Sequence, residues 1–405
     1  MDDSRTPPTS ISPTAALFAA RAVRDFGDGF VAVLLPVHLM ALGFSAMEVG
    51  VLATVALLGS SLLTLAVGMI GGRHDQRRLL IAASGLMIAS GVAFAVIHDF
   101  ALLLLIAFAG TINPSSGSVS VFAPLEQTIL TREAAAGERT RMFARYSLVG
   151  AFAGALGALA AATPDYLAPF GLDQLQAIRA MFVLYAALGL VGGFIYGRIP
   201  PRPPAAASGP VAALGPSRGI VIRLAMIFSI DSFGSGFVVQ SLLALWLFER
   251  FDLSLTAAGL FFFWSGVLSA FSFPVAAWLS RRIGLINTMV FTHIPANLCL
   301  IAAAFAPSLP VVLVLLLVRA ALSQMDVPTR TSYVMAVVTE AERPAAASFT
   351  VVPRSIASAI TPSIGGALFA AGFQALPLVL AGTIKTAYDL LLLFQFRHVK
   401  PPEER

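Results

Sequence analysis

Long apolar runs alternate with short polar breaks along this chain, and the spacing of the breaks predicts its architecture. A helix that crosses a bilayer takes about 20 apolar residues. Six such runs fall at about 14–42, 46–70, 79–97, 101–130, 143–162 and 179–197. Six more fall at about 221–247, 254–279, 285–306, 309–338, 345–372 and 377–396. Residues 1–13 and 397–405 read as polar tails, and the proline-rich stretch 198–220 reads as the linker. The predicted fold class is an all-α integral membrane protein of twelve transmembrane helices, in two six-helix bundles at 14–197 and 221–396.

Composition sharpens this picture. The chain is 58% hydrophobic and only 12% charged, against about 25% charged residues in soluble domains, so it is built for a lipid bilayer. Its net charge of +5 does not point to nucleic acid, because of where the charges fall. Eighteen Lys and Arg gather on the side of the tails and linker, and only Arg179 and Arg250 lie on the other. By the positive-inside rule both termini face the cytoplasm, and a multi-pass protein of the cell inner membrane is expected. The first run carries four charges after a polar tail, which is not the pattern of a cleaved signal peptide. The lone Cys299 offers no disulfide or thiolate site. His38, His98 and His293 lack metal-ligand spacing, so neither metal nor cofactor is expected.

The chain also repeats itself. Asp25-Phe26-Gly27-Asp28-Gly29-Phe30-Val31 returns as Ser232-Phe233-Gly234-Ser235-Gly236-Phe237-Val238, an offset of 207. Gly50 and Gly259 are 209 apart, Arg73 and Arg282 again 209, and Pro124 and Pro328 204. Gly157-Ala158-Leu159 and Gly366-Ala367-Leu368 pair at 209, as do Arg145 and Arg354. A parallel duplication of a six-helix unit gives this pattern.

The loop after the second run, Gly68-Met69-Ile70-Gly71-Gly72-Arg73-His74-Asp75-Gln76-Arg77-Arg78, resembles the Gly-x-x-x-Asp-Arg-x-Gly-Arg-Arg signature of the major facilitator superfamily. Ala277-Trp278-Leu279-Ser280-Arg281-Arg282-Ile283-Gly284 resembles its second-half echo. Gly72 stands where the family has Asp, and Asp75 where it has Gly. The fifth run lacks the Gly-Pro of the antiporter motif, and the fourth lacks the arginine of many drug/proton antiporters. The resemblance covers the whole chain. It implies that runs 1, 4, 7 and 10 line a central cavity, and that Arg73, Asp75, Arg77 and Arg78 belong to a gate. Arg145 and Arg354, near the same ends of runs 5 and 11, are expected in gating or packing.

An ionisable side chain in the bilayer needs a partner or a task. Arg21, Arg24, Asp25 and Asp28 fall within about 100° of one helix face. Two readings follow: structural bridges Arg21–Asp25 and Arg24–Asp28, or acids that face the transport path. Arg319, Asp326 and Arg330 lie within about 40° of one another on run 10, where Asp326–Arg330 is the structural alternative. Glu126 on run 4 aligns with Arg330, and Asp231 on run 7 has no basic residue one turn away on its own helix. Lys385 and Asp389 stand one turn apart on run 12 and are expected to satisfy each other. Arg24, Asp25, Asp28, Glu126, Asp231, Arg319, Asp326 and Arg330 are thus the candidate substrate and proton path. Asp231 and Glu126 are the leading proton carriers.

The expected activity is secondary transport of a small-molecule substrate by alternating access, with protons moving out of step with substrate in an efflux antiport. Uptake or uniport of a small organic anion is the alternative, favoured by Arg24, Arg319 and Arg330. A non-transporting receptor lacks an output domain here. An enzyme lacks any nucleophile–base or metal constellation, and no Gly-x-x-x-x-Gly-Lys-Ser/Thr loop for ATP occurs in the chain. A monomer is expected.

Overall fold

The structure, a computed structural model, describes residues 12–70, 74–115, 120–133, 139–201, 215–339 and 342–399. Sixteen α-helices and no strand occur among them. The first half holds α1 (Pro13–Ala41), α2 (Ala46–Ile70), α3 (Gln76–Val96), α4 (Phe100–Ala109), α5 (Phe122–Glu133), α6 (Arg139–Ala160), α7 (Thr163–Leu167) and α8 (Gln174–Gly197). The second holds α9 (Arg218–Gly236), α10 (Gln240–Phe251), α11 (Leu255–Ile283), α12 (Leu285–Phe305), α13 (Leu309–Ser323), α14 (Asp326–Val337), α15 (Arg343–Ala370) and α16 (Leu376–Phe396). Nine stretches among the described residues are long and apolar enough to cross a membrane. α1 is as long, but charges interrupt it. Side chains close the short breaks: Asp75, Asp99, Asp173 and Ser254 each accept a backbone N–H in the first turn of the helix that follows.

Three expected continuous spans are broken. Run 4 divides into α4 and α5, because Asn113 Oδ1 accepts from Ser115 N at 2.9 Å and Pro114 has no N–H to continue a ladder. Run 10 divides at Gln324–Met325, where α14 begins two residues before Pro328 and leaves that proline in a first turn that needs no donor. Run 7 divides into α9 and α10, although the same Phe-Gly-x-Gly-Phe-Val stays helical inside α1. Thr361 Oγ1 donates to the Phe233 carbonyl at 3.0 Å, the acceptor that a continuing helix would offer to Phe237. At the matching place in the first half, the Phe26 carbonyl faces Gly157, which has no hydroxyl to give.

These contacts also correct the expected register of runs 5 and 11. Phe26 faces Gly157 as Phe233 faces Thr361, and Gly29 faces Gly154 as Gly236 faces Ser358. Gly50 lies against Pro362 as Gly259 lies against Ala158. Each pair gives an offset of 204, so the two Gly-Ala-Leu triplets and Arg145/Arg354 are not counterparts. In a chain this rich in Gly, Ala and Leu the triplet matches by composition.

The halves meet along α2 with α15 and α6 with α11. Thr54 Oγ1 accepts from Ser363 N at 2.9 Å. Asp165 Oδ2 accepts from both Thr256 N and Thr256 Oγ1 at 2.8 Å. The Pro114 carbonyl accepts from Ser241 N at 3.0 Å. All of these lie in the part of the molecule away from the start of α1. Among the described residues no hydrogen bond joins the halves at the end where α1 begins.

Candidate functional site

Each half holds one buried charge cluster. In the first, Arg24 of α1 reaches Glu126 of α5 at 3.1 Å and Asp25 at 3.1 Å, with its guanidinium 4.6 Å above the Phe122 ring. Glu126 is fully buried and also accepts from Tyr196 Oη at 2.5 Å and from Tyr146 Oη. Arg21 holds the other oxygen of Asp25 at 3.1 Å. Asp28 stands apart. Its one hydrogen bond among the described residues comes from the neutral Tyr185 hydroxyl at 3.1 Å. The expected Arg24–Asp28 bridge does not form, because Glu126 and Asp25 occupy the guanidinium.

The second cluster centres on Asp231 of α9. Lys385 Nζ donates to one of its oxygens at 2.6 Å and Arg330 to the other at 2.9 Å. Arg330 also bonds Asp326, the bridge read from the sequence, and lies 5.1 Å from the Phe228 ring centre. Asp231 is therefore not a bare acid: it lacks a partner only on its own helix. Lys385 and Asp389 do not satisfy each other. Lys385 takes Asp231 and the Ser235 hydroxyl at 2.8 Å, while Asp389 accepts from Asn297 at 2.9 Å and lies 3.0 Å from His293 Nδ1. The lysine of run 12 thus completes the pair of Asp231 and Arg330.

The clusters are images of each other with the sign reversed. At offset 207 Arg24 corresponds to Asp231, and at offset 204 Glu126 corresponds to Arg330. Tyr185 corresponds to Lys385. A Cβ built on Gly27 would lie 2.9 Å from a Tyr185 ring carbon, and one on Gly234 2.9 Å from Lys385 Cγ. Tyr185, Tyr196 and Tyr146 are additions to the residues read from the sequence, and Lys385 enters with a partner other than the expected Asp389. The offset of 200 between Tyr185 and Lys385 is the signal that links those two.

Arg319 of α13 makes no hydrogen bond or ion pair with any described residue, and its Nε is buried without a partner. Among the described residues Arg354 reaches only a hydroxyl, Ser232 Oγ, at 3.1 Å. The gate candidates separate. Arg73 and Gly72 lie outside the described residues. Asp75 caps α3 through Arg77 N at 3.0 Å, and Arg78 beside it is exposed. Arg77 donates to the Gly197 carbonyl at 2.5 Å, a contact inside the first half. Arg145 is exposed.

A sequence model described as Major Facilitator Superfamily matches residues 17–322 and 225–405. An uncharacterized membrane protein of Saccharomyces cerevisiae, YJR124C, is 23% identical over 416 residues, covering 94% of this chain and 93% of that protein. Among solved structures, the inward open xylose transporter XylE from E. coli superposes with a TM-score of 0.75 at 15% identity, covering 96% of this chain and 98% of the other. The nucleoside transporter NupG gives 0.73 at 13%, covering 96% and 100%. A bacterial homolog of the human lysosomal transporter Spinster, inward-facing and occupied, gives 0.72 at 16%, covering 96% of each chain.

Proposed function

The chain belongs to the major facilitator superfamily, and on that premise we propose that it is a proton-coupled secondary transporter whose proton site is Asp28. Among the described residues the hydrogen bonds between the halves lie on one face. With the termini in the cytoplasm of a cell with an inner membrane, as the Lys and Arg bias argues, that face is the outer one and the cavity opens inward. One chain carries both halves of the path, so the transport unit is a monomer.

The observation that carries the proton site is the partner list of the acids buried within the membrane spans. Asp25, Glu126, Asp231 and Asp326 each bond a cation, and Asp389 has His293. Asp28 has a neutral hydroxyl. Protonating any of the first four leaves a buried cation short of its counter-charge. Protonating Asp28 breaks no ion pair. The role read for Asp231 and Glu126 therefore passes to Asp28, and those two become the framework around it.

Efflux by antiport and uptake of a small organic anion both use such a site. The first needs only an acid that exchanges its proton against substrate. The second is favoured by one specific observation, the unpartnered guanidinium of Arg319. Purified protein in liposomes with an internal pH dye tests the proton site across a compound panel. Asp28→Asn should abolish substrate-dependent proton movement and leave substrate exchange in place. Undiminished proton movement by Asp28→Asn would return the role to Asp231 or Glu126.

A further inference from the structure

Within the second cluster the cations outnumber the acids: Arg319, Arg330, Arg354 and Lys385 stand against Asp231, Asp326 and Asp389. Arg319 carries the surplus, since it is the member with no hydrogen bond at all among the described residues. Arg354 at least holds Ser232. Arg319 does not point into lipid. Val311, Val314 and Val318 form the exposed stripe of α13, and Arg319 lies off that stripe, on the flank that continues to Ser323. It is partly exposed, so a ligand can reach it.

A guanidinium with its Nε buried and no counter-ion is unfavourable, and an anion that enters the cavity relieves it. The planar fork of arginine matches a carboxylate through two parallel N–H···O bonds. A single carboxylate supplies the one counter-charge that Arg319 lacks. We infer that the transported substrate carries one carboxylate and that Arg319 seats it. This rests on the transport-path reading of the cavity proposed above. It also bears on direction. The first cluster holds an acid with no cation, Asp28, and the second an arginine with no partner among the described residues, Arg319. Both are neutralised together only when a proton and a monocarboxylate are bound at once, which is the arrangement of symport and not of exchange.

The test uses the full chain in lipid nanodiscs, with benzoate, pyruvate and N-acetylglycine as probes, each beside its methyl ester. The acids should raise the melting temperature of the protein, and the esters should not. Arg319→Gln should weaken the acids by tenfold or more, Arg319→Lys should recover part of the loss, and empty Arg319→Gln should melt no lower than the parent. Equal shifts from acids and esters, or from none of the acids, would overturn the carboxylate seat, as would an unchanged response in Arg319→Gln. The proton site is scored separately by Asp28→Asn in liposomes. Loss of proton movement there with no carboxylate effect at Arg319 leaves proton-coupled transport standing and removes the seat. The reverse pattern keeps the seat and removes the proton site.

Discussion

The two halves of this transporter hold the same ion pair with its ends exchanged. Arg24 and Glu126 join α1 to α5, and Asp231 and Arg330 join α9 to α14 in the equivalent place. Complementarity is what a buried pair needs, and its sign is free. What surrounds the pair then decides what each half has left over. The first half dresses its carboxylate with tyrosine hydroxyls and keeps a spare acid. The second dresses its carboxylate with a second cation and keeps a spare arginine. Function on this view resides in the remainders, Asp28 and Arg319, while the matched pairs hold the helices together.

The largest effect should come from unmatching a pair. Removing one member of a buried ion pair costs about 3–5 kcal/mol, so Asp231→Asn and Glu126→Gln should each lower expression and melting temperature sharply. Arg24→Glu combined with Glu126→Arg gives the first half the polarity of the second. Each single substitution should fail to accumulate as folded protein, and the double variant should recover much of the loss on size exclusion. A double variant no better than the worse single would show that sign does matter, through Asp25 or the tyrosines.

Next in size is the contact that fastens the halves. Asp165 takes two hydrogen bonds from Thr256, and hydrogen bonds to charged groups contribute about 1.5–3 kcal/mol. The α2–α15 side has Thr54 instead, which accepts from Ser363 N at 2.9 Å and donates to the Ile360 carbonyl at 3.5 Å, with no charged partner. Asp165→Ala should therefore shift the population toward the state open on that face by about tenfold or more. A cysteine placed at Thr54 should react faster with a membrane-impermeant maleimide in that background. An unchanged rate would mean that glycine packing, as at Gly50 against Gly366, holds the face closed without the clasp.

The sequence carried the class of fold and the membership of both clusters further than it carried their pairing. Twelve runs, the duplication and the charged face of α1 were legible because apolar length and helical period are local properties. The Arg21–Asp25 and Asp326–Arg330 bridges were legible for the same reason. Arg24 could not be assigned to Glu126, nor Lys385 to Asp231, because those partners meet across helices that no periodicity connects. The breaks in runs 4, 7 and 10 escaped for a related reason. Pro114 and Pro328 were visible as weak points, but the hydroxyl that interrupts run 7 comes from Thr361, 128 residues away along the chain.

That hydroxyl gives a third prediction. Thr361→Val keeps the shape and removes the donor to Phe233, so α9 should run on toward Phe237 as α1 does at Phe30. A net change of about 1 kcal/mol is expected for one hydrogen bond. Amide exchange at Phe237, Val238 and Val239 should slow in the variant. Exchange that stays as fast as in the parent would place the cause of the break in α10 or its contact with Pro114.

The smallest effect should lie at the membrane surface, where the second half begins. Glu342 gathers the Ser217 hydroxyl at 2.6 Å, the Thr339 hydroxyl at 2.5 Å and the Gly215 N–H at 2.5 Å, which ties the entry of α9 to the turn before α15. Hydrogen bonds from Ser217 and then Thr339 lower its carboxyl from an ordinary 4.5 to about 2. A carboxyl lowered on folding adds stability that is fully present above its unfolded value and is lost as pH falls through its folded one. The contribution should therefore be complete above about pH 4.5 and fade as pH drops toward about 2. Glu342→Gln keeps an acceptor but loses the charge, so its melting temperature should sit slightly below the parent at pH 7. The gap should close as the pH is lowered through that window. A gap that stays constant with pH would show that Glu342 holds the turn by shape and hydrogen bonding alone, with no share from its charge.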